Sequence, residues 1–250
     1  MGKLIRLDSV DSTNNYVKLL AREGAEDGTV VVADTQTAGR GRLGRAFQSP
    51  PGSGIYMSFL FRPQVDPVKA VNFTAVAATA VCDAIETACG IRPQIKWTND
   101  LLLDNRKICG ILTEMSVKNG SGLLDYLVLG IGINVNQSLE DFSADIQSVA
   151  GSIAMATGRQ WDRAKIVAEL INAVGRMYTD WGKGKWSVER YRADCATLGR
   201  EVRIVRAGQS RNAYAEDIDD DFALVVRYED GSRETIFFGE VSVWGLEGYM

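Results

Sequence analysis

The 250-residue chain contains no histidine. This excludes Ser-His and Cys-His nucleophile pairs, the HExxH metal helix and every His-ligated zinc site. Chemistry must run on Lys, Arg, Asp, Glu, backbone donors and whatever metal a substrate brings. Cysteine is scarce: Cys82, Cys89, Cys109 and Cys195 lack CxxC spacing and are too few for a disulfide framework in a chain this long. A cytoplasmic location is therefore expected. Positive charge is in deficit, with 28 basic against 32 acidic side chains and a net charge of -4, so no global basic field exists to hold nucleic acid. Five prolines and no long polar tract argue against disorder, collagen-like repeats and low complexity. The opening Met-Gly-Lys-Leu-Ile-Arg-Leu-Asp has no long apolar run ending in a cleavage site, and Arg6 stands where myristoylation wants Ser or Thr. The most apolar stretch, 68–89, is broken by Asn72, Asp83 and Glu86 and reads as a buried helix, so no membrane is expected.

A hydrophobic content of 46% is ample for a core. Residues 8–23 begin with the capping types Asp8, Ser9, Asp11, Ser12 and Thr13 and stop at Gly24, which predicts a short helix. Residues 29–33 are a β-branched run. Over 55–62, Ile55, Met57, Phe59 and Phe61 alternate with Tyr56, Ser58, Leu60 and Arg62, as a half-buried strand should. From Asp66 as N-cap and Pro67 in the first turn, Val71, Ala75, Ala78, Cys82, Ile85 and Cys89 recur at steps of four and three until Gly90. Cys82 and Cys89 then sit ~10 Å apart at 1.5 Å rise per residue, too far for a disulfide.

Residues 94–97, 107–117 and 123–135 read as strands, joined by turns at Asp104-Asn105 and Asn119-Gly120-Ser121-Gly122. A central antiparallel or mixed sheet follows from them. Residues 162–181 form an amphipathic helix and 187–197 another. After Leu198-Gly199 only short β-type runs remain (202–205, 214–218, 223–228, 235–238), with Asp230-Gly231 as a hairpin turn. The prediction is an α+β domain over 1–198 followed by a small SH3-like β-barrel over 199–250.

The sharpest local signal is Gly39-Arg40-Gly41-Arg42-Leu43-Gly44-Arg45. It matches G-x-G-x-x-G, yet a strand rather than a helix follows, and Arg45-Ala46 stands where a P-loop needs Lys and Ser/Thr. What survives is an anion-binding segment: the guanidiniums of Arg40, Arg42 and Arg45 and close-approach glycines, lying in a stretch, 35–65, with no Asp or Glu. A merely solvated basic loop would have the same composition. Lys96-Trp97-Thr98-Asn99-Asp100 and Arg106-Lys107-Ile108-Cys109-Gly110-Ile111 add cations, an amide and a carboxylate at strand ends, either facing the same cleft or forming a hairpin with a surface ion pair.

Taken in order, these segments resemble the biotin protein ligases, the biotin-[acetyl-CoA-carboxylase] ligase catalytic domain in particular. The residues carrying the likeness are Asp11-Ser12-Thr13-Asn14, 35–45, 96–100, 106–112 and Gly130-Ile131-Gly132-Ile133-Asn134-Val135-Asn136, with a general likeness to the family's C-terminal barrel ending in Gly239-Glu240-Val241-Ser242. The resemblance implies a class II synthetase-like catalytic fold, formation of biotinyl-5'-AMP from biotin and MgATP, and transfer of biotin to a lysine of a biotin carboxyl carrier domain. It further implies that Ser12, Thr13, Asn14 and Gln36 line the biotin ureido end, and that Gly39, Arg40, Gly41 and Arg42 form the loop closing over biotin and adenylate. Lys107 would contact carboxylate and phosphate, Gly110 would permit close approach to biotin, and Arg40, Arg42, Arg45, Phe47, Lys96, Asn99, Asp100 and Asn134 would border ATP. Lys107, Arg40, Arg42 and Asp100 are the expected catalytic residues, Asp100 orienting or deprotonating the incoming lysine. No protein-held metal is expected.

Thr98 replaces the family's usual proline and Phe47 its common tryptophan, which weakens adenine stacking. Only eleven residues precede Ser12, so no helix-turn-helix and no DNA binding are expected. A homodimer through sheet edges is compatible with the family, although no edge is identifiable in the sequence. Two rival readings are lipoate-protein ligase and a noncatalytic RNA-binding module; the acidic balance and the lack of aromatics within the arginine loop weigh against the latter.

Overall fold

The structure is a computed structural model that describes residues 2–118, 120–206, 208–237, 241–245 and 249. Asn119 of the predicted turn, Phe238 at the end of the last predicted run and the Gly239-Glu240 of the family-like terminus lie outside those residues. Two sheets organise the chain. The first has seven strands in the order β1-β2-β3-β7-β6-β5-β4: β1 (Leu4–Val10), β2 (Val30–Gln36), β3 (Gly54–Phe61), β4 (Gln94–Lys96), β5 (Asp100–Leu103), β6 (Arg106–Val117) and β7 (Leu124–Asn134). β1 and β2 are parallel and the other pairs antiparallel. The expected mixed sheet is present.

Both faces of this sheet are covered. On one face Met57, Phe59, Phe61, Leu129 and Ile131 pack into a large core with α2 (Phe73–Cys89) and α4 (Arg163–Trp181). On the other, Leu60, Val31 and Val128 pack with Val17 and Ala21 of α1 (Thr13–Arg22). All eight residues of β3 are therefore buried, which corrects the expected half-buried strand. Its period-2 alternation distinguishes two covered faces rather than core from solvent. Phe61 stacks on Tyr178 at 4.1 Å and meets Phe73 edge-on at 5.6 Å.

Other boundaries move for local reasons. Residues 8–10 belong to β1, so the predicted helix starts at Thr13 with Ser12 as its N-cap; Asp and Ser serve an edge strand as readily as a cap. Asp66 caps a short 3-10 turn (Pro67–Ala70) by accepting from the Val68 N–H at 2.9 Å, and α2 begins three residues beyond that turn, leaving Val71 exposed. Gly90 ends α2 in the left-handed region at φ 70°, as expected of that glycine. The helical stretch Pro67–Cys89, made of the 3-10 turn and α2, is long and apolar enough in composition to span a membrane, yet α2 is the interior helix between sheet and α4. The four cysteines are buried free thiols. A short α3 (Ile153–Thr157) precedes α4, and α5 (Val188–Asp194) stops before Cys195, which pairs with Ile95 of β4.

The second sheet is antiparallel, in the order β11-β10-β9-β8-β12: β8 (Glu201–Arg206), β9 (Gln209–Ile218), β10 (Leu224–Arg227), β11 (Arg233–Ile236) and β12 (Val241–Gly245). This agrees with the predicted small SH3-like β unit. It is fastened to the first sheet beside the Lys96–Asp100 turn: Trp97 donates through its indole N–H to the Phe222 carbonyl and through its backbone N–H to Thr197 Oγ1, both at 2.9 Å.

Because Phe61 bridges the sheet and both covering helices, Phe61→Ala should cost about 3–5 kcal/mol of stability. Urea unfolding would read this as a lower midpoint at unchanged slope.

Candidate functional site

A cavity of about 370 Å³ opens between the sheet, the 40–48 loop, residues 142–150 and the second sheet. Every predicted site residue except Gly39 lines it. Gly39 lies buried behind it: its N–H-side neighbours leave no room for a Cβ, which would run into the Phe47 carbonyl, and its own carbonyl accepts from the Phe47 N–H at 2.9 Å.

The cavity has two chemically different ends. One is uncharged and hydrogen-bonded in a ring. Gln36 Oε1 accepts from the Thr13 backbone N–H at 2.8 Å, and Gln36 Nε2 donates to Ser49 Oγ at 3.0 Å. Ser58, wholly buried on β3, sits 2.7 Å from Thr13 Oγ1 and 2.6 Å from Asn14 Oδ1. A hydroxyl has one proton and Asn14 Oδ1 can only accept, so Ser58 donates to Asn14 and receives from Thr13. Asn14 Nδ2 then donates to Glu114 Oε2 at 2.8 Å, whose other oxygen holds Lys18 at 2.8 Å. Gly130 makes room for this arrangement, since a Cβ there would collide with the Asn14 amide.

The other end is cationic. Lys107 Nζ lies 2.7 Å from Asp100 Oδ1, the Tyr249 hydroxyl donates to Asp100 Oδ2, and Arg42 donates to Asn99 Oδ1 at 2.8 Å. Burial pushes the Asp100 carboxyl up, but Lys107, the Tyr249 hydroxyl and Lys96 outweigh it and hold it below the usual carboxylate range. Lys96 is 5% exposed, and burial brings its ammonium down to about 7. Burial likewise lowers Arg42 from its ordinary value.

A strand irregularity brings Lys107 and Asp100 together. In the β5–β6 ladder Asp100 faces Gly110 and Leu101 faces Cys109, but Leu102 faces Lys107, so Ile108 is the extra residue of a β-bulge. Three positions apart on a regular strand, Lys107 and Gly110 would point to opposite faces. The bulge turns Lys107 onto the Gly110 face, where its Nζ stands 3.3 Å from the place a Gly110 Cβ would occupy. The Lys107 main chain is pinned on its other side, its N–H to the Val149 carbonyl at 2.8 Å and its carbonyl from the Gly151 N–H at 2.9 Å.

The arginine loop is itself a small hairpin. Arg40 bridges Ala46, Gly41 N–H donates to the Arg45 carbonyl at 2.7 Å, and a 3-10 turn (Arg42–Gly44) carries Leu43 at φ 56°. Arg40 and Arg45 are exposed while Arg42 is half-buried in the cavity. Phe47 lies flat enough on β7 that a Cβ on Gly132 would come within 2.7 Å of its ring. Asn134 lines the cavity with its amide N–H₂ tied to the Gly151 carbonyl at 2.9 Å, so it braces the 146–151 segment. The Trp97–Thr98 peptide is cis, and the buried Thr98 hydroxyl has no hydrogen-bond partner among the described residues.

Ser58, Glu114 and Tyr249 are site residues that the sequence reading misses. Ser58 had a signal, as a lone small hydroxyl in an apolar strand. Glu114 and Tyr249 had none, since their partners lie 100 and 149 residues away.

Comparison with known proteins gives a consistent picture. Residues 7–134 match the model of the Biotin/lipoate A/B protein ligase family, and residues 197–244 match the Biotin protein ligase C terminal domain. The chain is 35% identical over 237 residues to the bifunctional ligase/repressor BirA of Bacillus spizizenii, covering 94% of this chain and 72% of that protein. It is 33% identical over 216 residues to the biotin--[acetyl-CoA-carboxylase] ligase of Mycobacterium tuberculosis, covering 84% and 77%. The biotin protein ligase of Aquifex aeolicus, solved in complex with biotin and ATP, superposes with a TM-score of 0.82 at 28% identity, over 98% of this chain and all of that one.

Two outcomes follow from the geometry. Ser58→Ala leaves Asn14 Oδ1 buried without its donor and should cost about 1–3 kcal/mol, read from denaturant midpoints. Lys96 binds its proton less tightly folded than unfolded, so between about pH 7 and its ordinary 10.5 the unfolded chain carries the extra proton and stability rises with pH. Lys96→Met should flatten that rise; an unchanged pH–stability curve would contradict it.

Proposed function

The chain belongs to the biotin/lipoate A/B protein ligase family, and we propose that it is an ATP-dependent biotin–protein ligase. In the first step a biotin carboxylate oxygen attacks the α-phosphorus of ATP, the bond to the bridging oxygen breaks, and pyrophosphate leaves biotinyl-5'-AMP. In the second, a lysine amine of a biotin carboxyl carrier domain attacks the acyl carbon and AMP departs.

The observation that carries this reading is the division of one cavity into a neutral hydrogen-bonding end and a cationic end. A urea-like ring needs matched donors and acceptors without charge, which Ser12, Thr13, Asn14 and Gln36 offer on the cavity wall, with Ser58 behind them orienting Thr13 and Asn14. A carboxylate brought to a phosphate costs ~4 kcal/mol per unit-charge pair at 4 Å and an effective dielectric of 20. Lys107, Arg42 and Arg40 offset that repulsion, and because they are held before substrate arrives little reorganisation is needed. Gly39 and Gly41 let the loop close on the adenylate. Lys96, Asn99, Arg45, Phe47 and Asn134 border the nucleotide.

Asp100 is held below the usual carboxylate range and is therefore a weak base, so its role is to seat and orient the incoming lysine. Among the described lining residues Asp100 is the sole carboxylate, and it is engaged by Lys107 and Tyr249. These residues do not form a cage for a protein-held cation; magnesium arrives as part of MgATP. The catalytic portion is assigned to 1–198 and the smaller β unit to 199–250. Buried free thiols suit a reducing cytoplasm.

The deciding experiment is ATP–pyrophosphate exchange with biotin, lipoate and octanoate offered separately: exchange with biotin alone is expected, and exchange with lipoate instead would favour the sister activity. Lys107→Ala should slow biotin-dependent exchange by about 10²–10³, the loss seen when one preorganised donor is removed. Asp100→Asn should slow transfer from preformed adenylate more than it slows exchange.

A further inference from the structure

Tyr249 lies after β12, outside the regular strands, and lines the cavity. Its hydroxyl bonds Asp100 Oδ2, and its ring lies 3.3 Å from Lys96 Nζ, measured at the centroid. Burial and the Asp100 charge both push the phenol well above its ordinary value, so it keeps its proton and donates. Asp100 Oδ1 is meanwhile taken by Lys107 at 2.7 Å and Asn99 Nδ2 at 3.2 Å. Both carboxylate oxygens are thus occupied in this state, and Oδ2 is held by a neutral donor.

We propose that Tyr249 is a gate for the acceptor amine: its phenol occupies the Asp100 oxygen on which the incoming lysine must be seated, and the amine displaces it. This rests on the reading of Asp100 as the group that orients the lysine. The chemistry of the two donors supports the exchange. Both donors bond an ionised carboxylate, but only the ammonium brings a full positive charge to it, so the correct group can evict the phenol whereas water, a neutral donor like the phenol, gains little by doing so. The ring over Lys96 also engages a cation that would otherwise repel an arriving ammonium. Until the amine arrives, the phenol withholds this oxygen from other small donors, water included. Once it is seated and has given up a proton to solvent, its nitrogen bonds the acyl carbon, the carbon–oxygen bond to AMP breaks, and AMP leaves with that electron pair.

The test uses the full chain, with Tyr249→Phe, which keeps the ring and removes the donor, and Tyr249→Leu as a second variant should the first fail to fold. Titration of the free protein with n-butylammonium, followed by NMR, should show binding tightened about tenfold in Tyr249→Phe, the size of one hydrogen bond to a charged group no longer displaced. Equal or weaker binding overturns the gate. In single-turnover transfer from preformed biotinyl-5'-AMP to a biotin carboxyl carrier domain, KM for the carrier should fall by a similar factor while kcat holds. A fall in kcat at constant KM would overturn the gate and make Tyr249 a positioning residue. If the wild-type chain shows no biotin-dependent exchange, the ligase reading fails, and the amine titration still decides the gate.

Discussion

The site depends on the 2.7 Å contact between Lys107 and Asp100, and that contact depends on one extra residue. Ile108 bulges out of the β5–β6 ladder, and the half-turn it imposes carries Lys107 from the core face to the cavity face. Neither side chain is fully exposed, at 28% and 14%, so separating the pair would leave a poorly solvated charge behind. The backbone bonds from Lys107 to Val149 and Gly151 hold the bulge in place. The 146–151 segment thus serves as a clamp on Lys107, although its side chains make the more ordinary part of the cavity wall.

Around this pair the molecule separates two problems. At one end a hydrogen-bonded network fixes side-chain directions: Ser58 donates to the Asn14 oxygen and the Asn14 amide donates to Glu114. Charge compensation is handled at the opposite end, where cations share a pocket with one carboxylate. Burial is the main reason that Lys96 binds its proton less tightly than usual; the nearby Lys107 and Arg45 charges add to it and Asp100 works against it.

The smaller β unit contributes to this site rather than only capping it. Trp97 anchors the Lys96–Asp100 turn to Phe222 and Thr197, and Tyr191 donates to the Thr98 carbonyl at 3.1 Å. Tyr249 then reaches back to Asp100 from beyond β12. The Lys96–Asp100 turn is thus held by Thr197 and Tyr191 of the larger unit and by Phe222 and Tyr249 of the smaller one.

Much of this was legible beforehand. Local chemistry determined the glycine-spaced arginine loop, the end of α2 at Gly90, the hairpin at Asp104-Asn105 and the individual strands of the sheet, because each rests on short-range pattern. The motif residues were identifiable by type, since anions require guanidiniums, ammonium groups and close-approach glycines. Tertiary structure alone decided that β3 is buried on both faces, that 8–10 is an edge strand, that Ile108 bulges, and that Ser58, Glu114 and Tyr249 join the site. The physical reason is that a side chain's face on a strand reverses with a one-residue shift in register, and its partners come from strands remote in sequence; neither quantity is encoded in any short window of the chain.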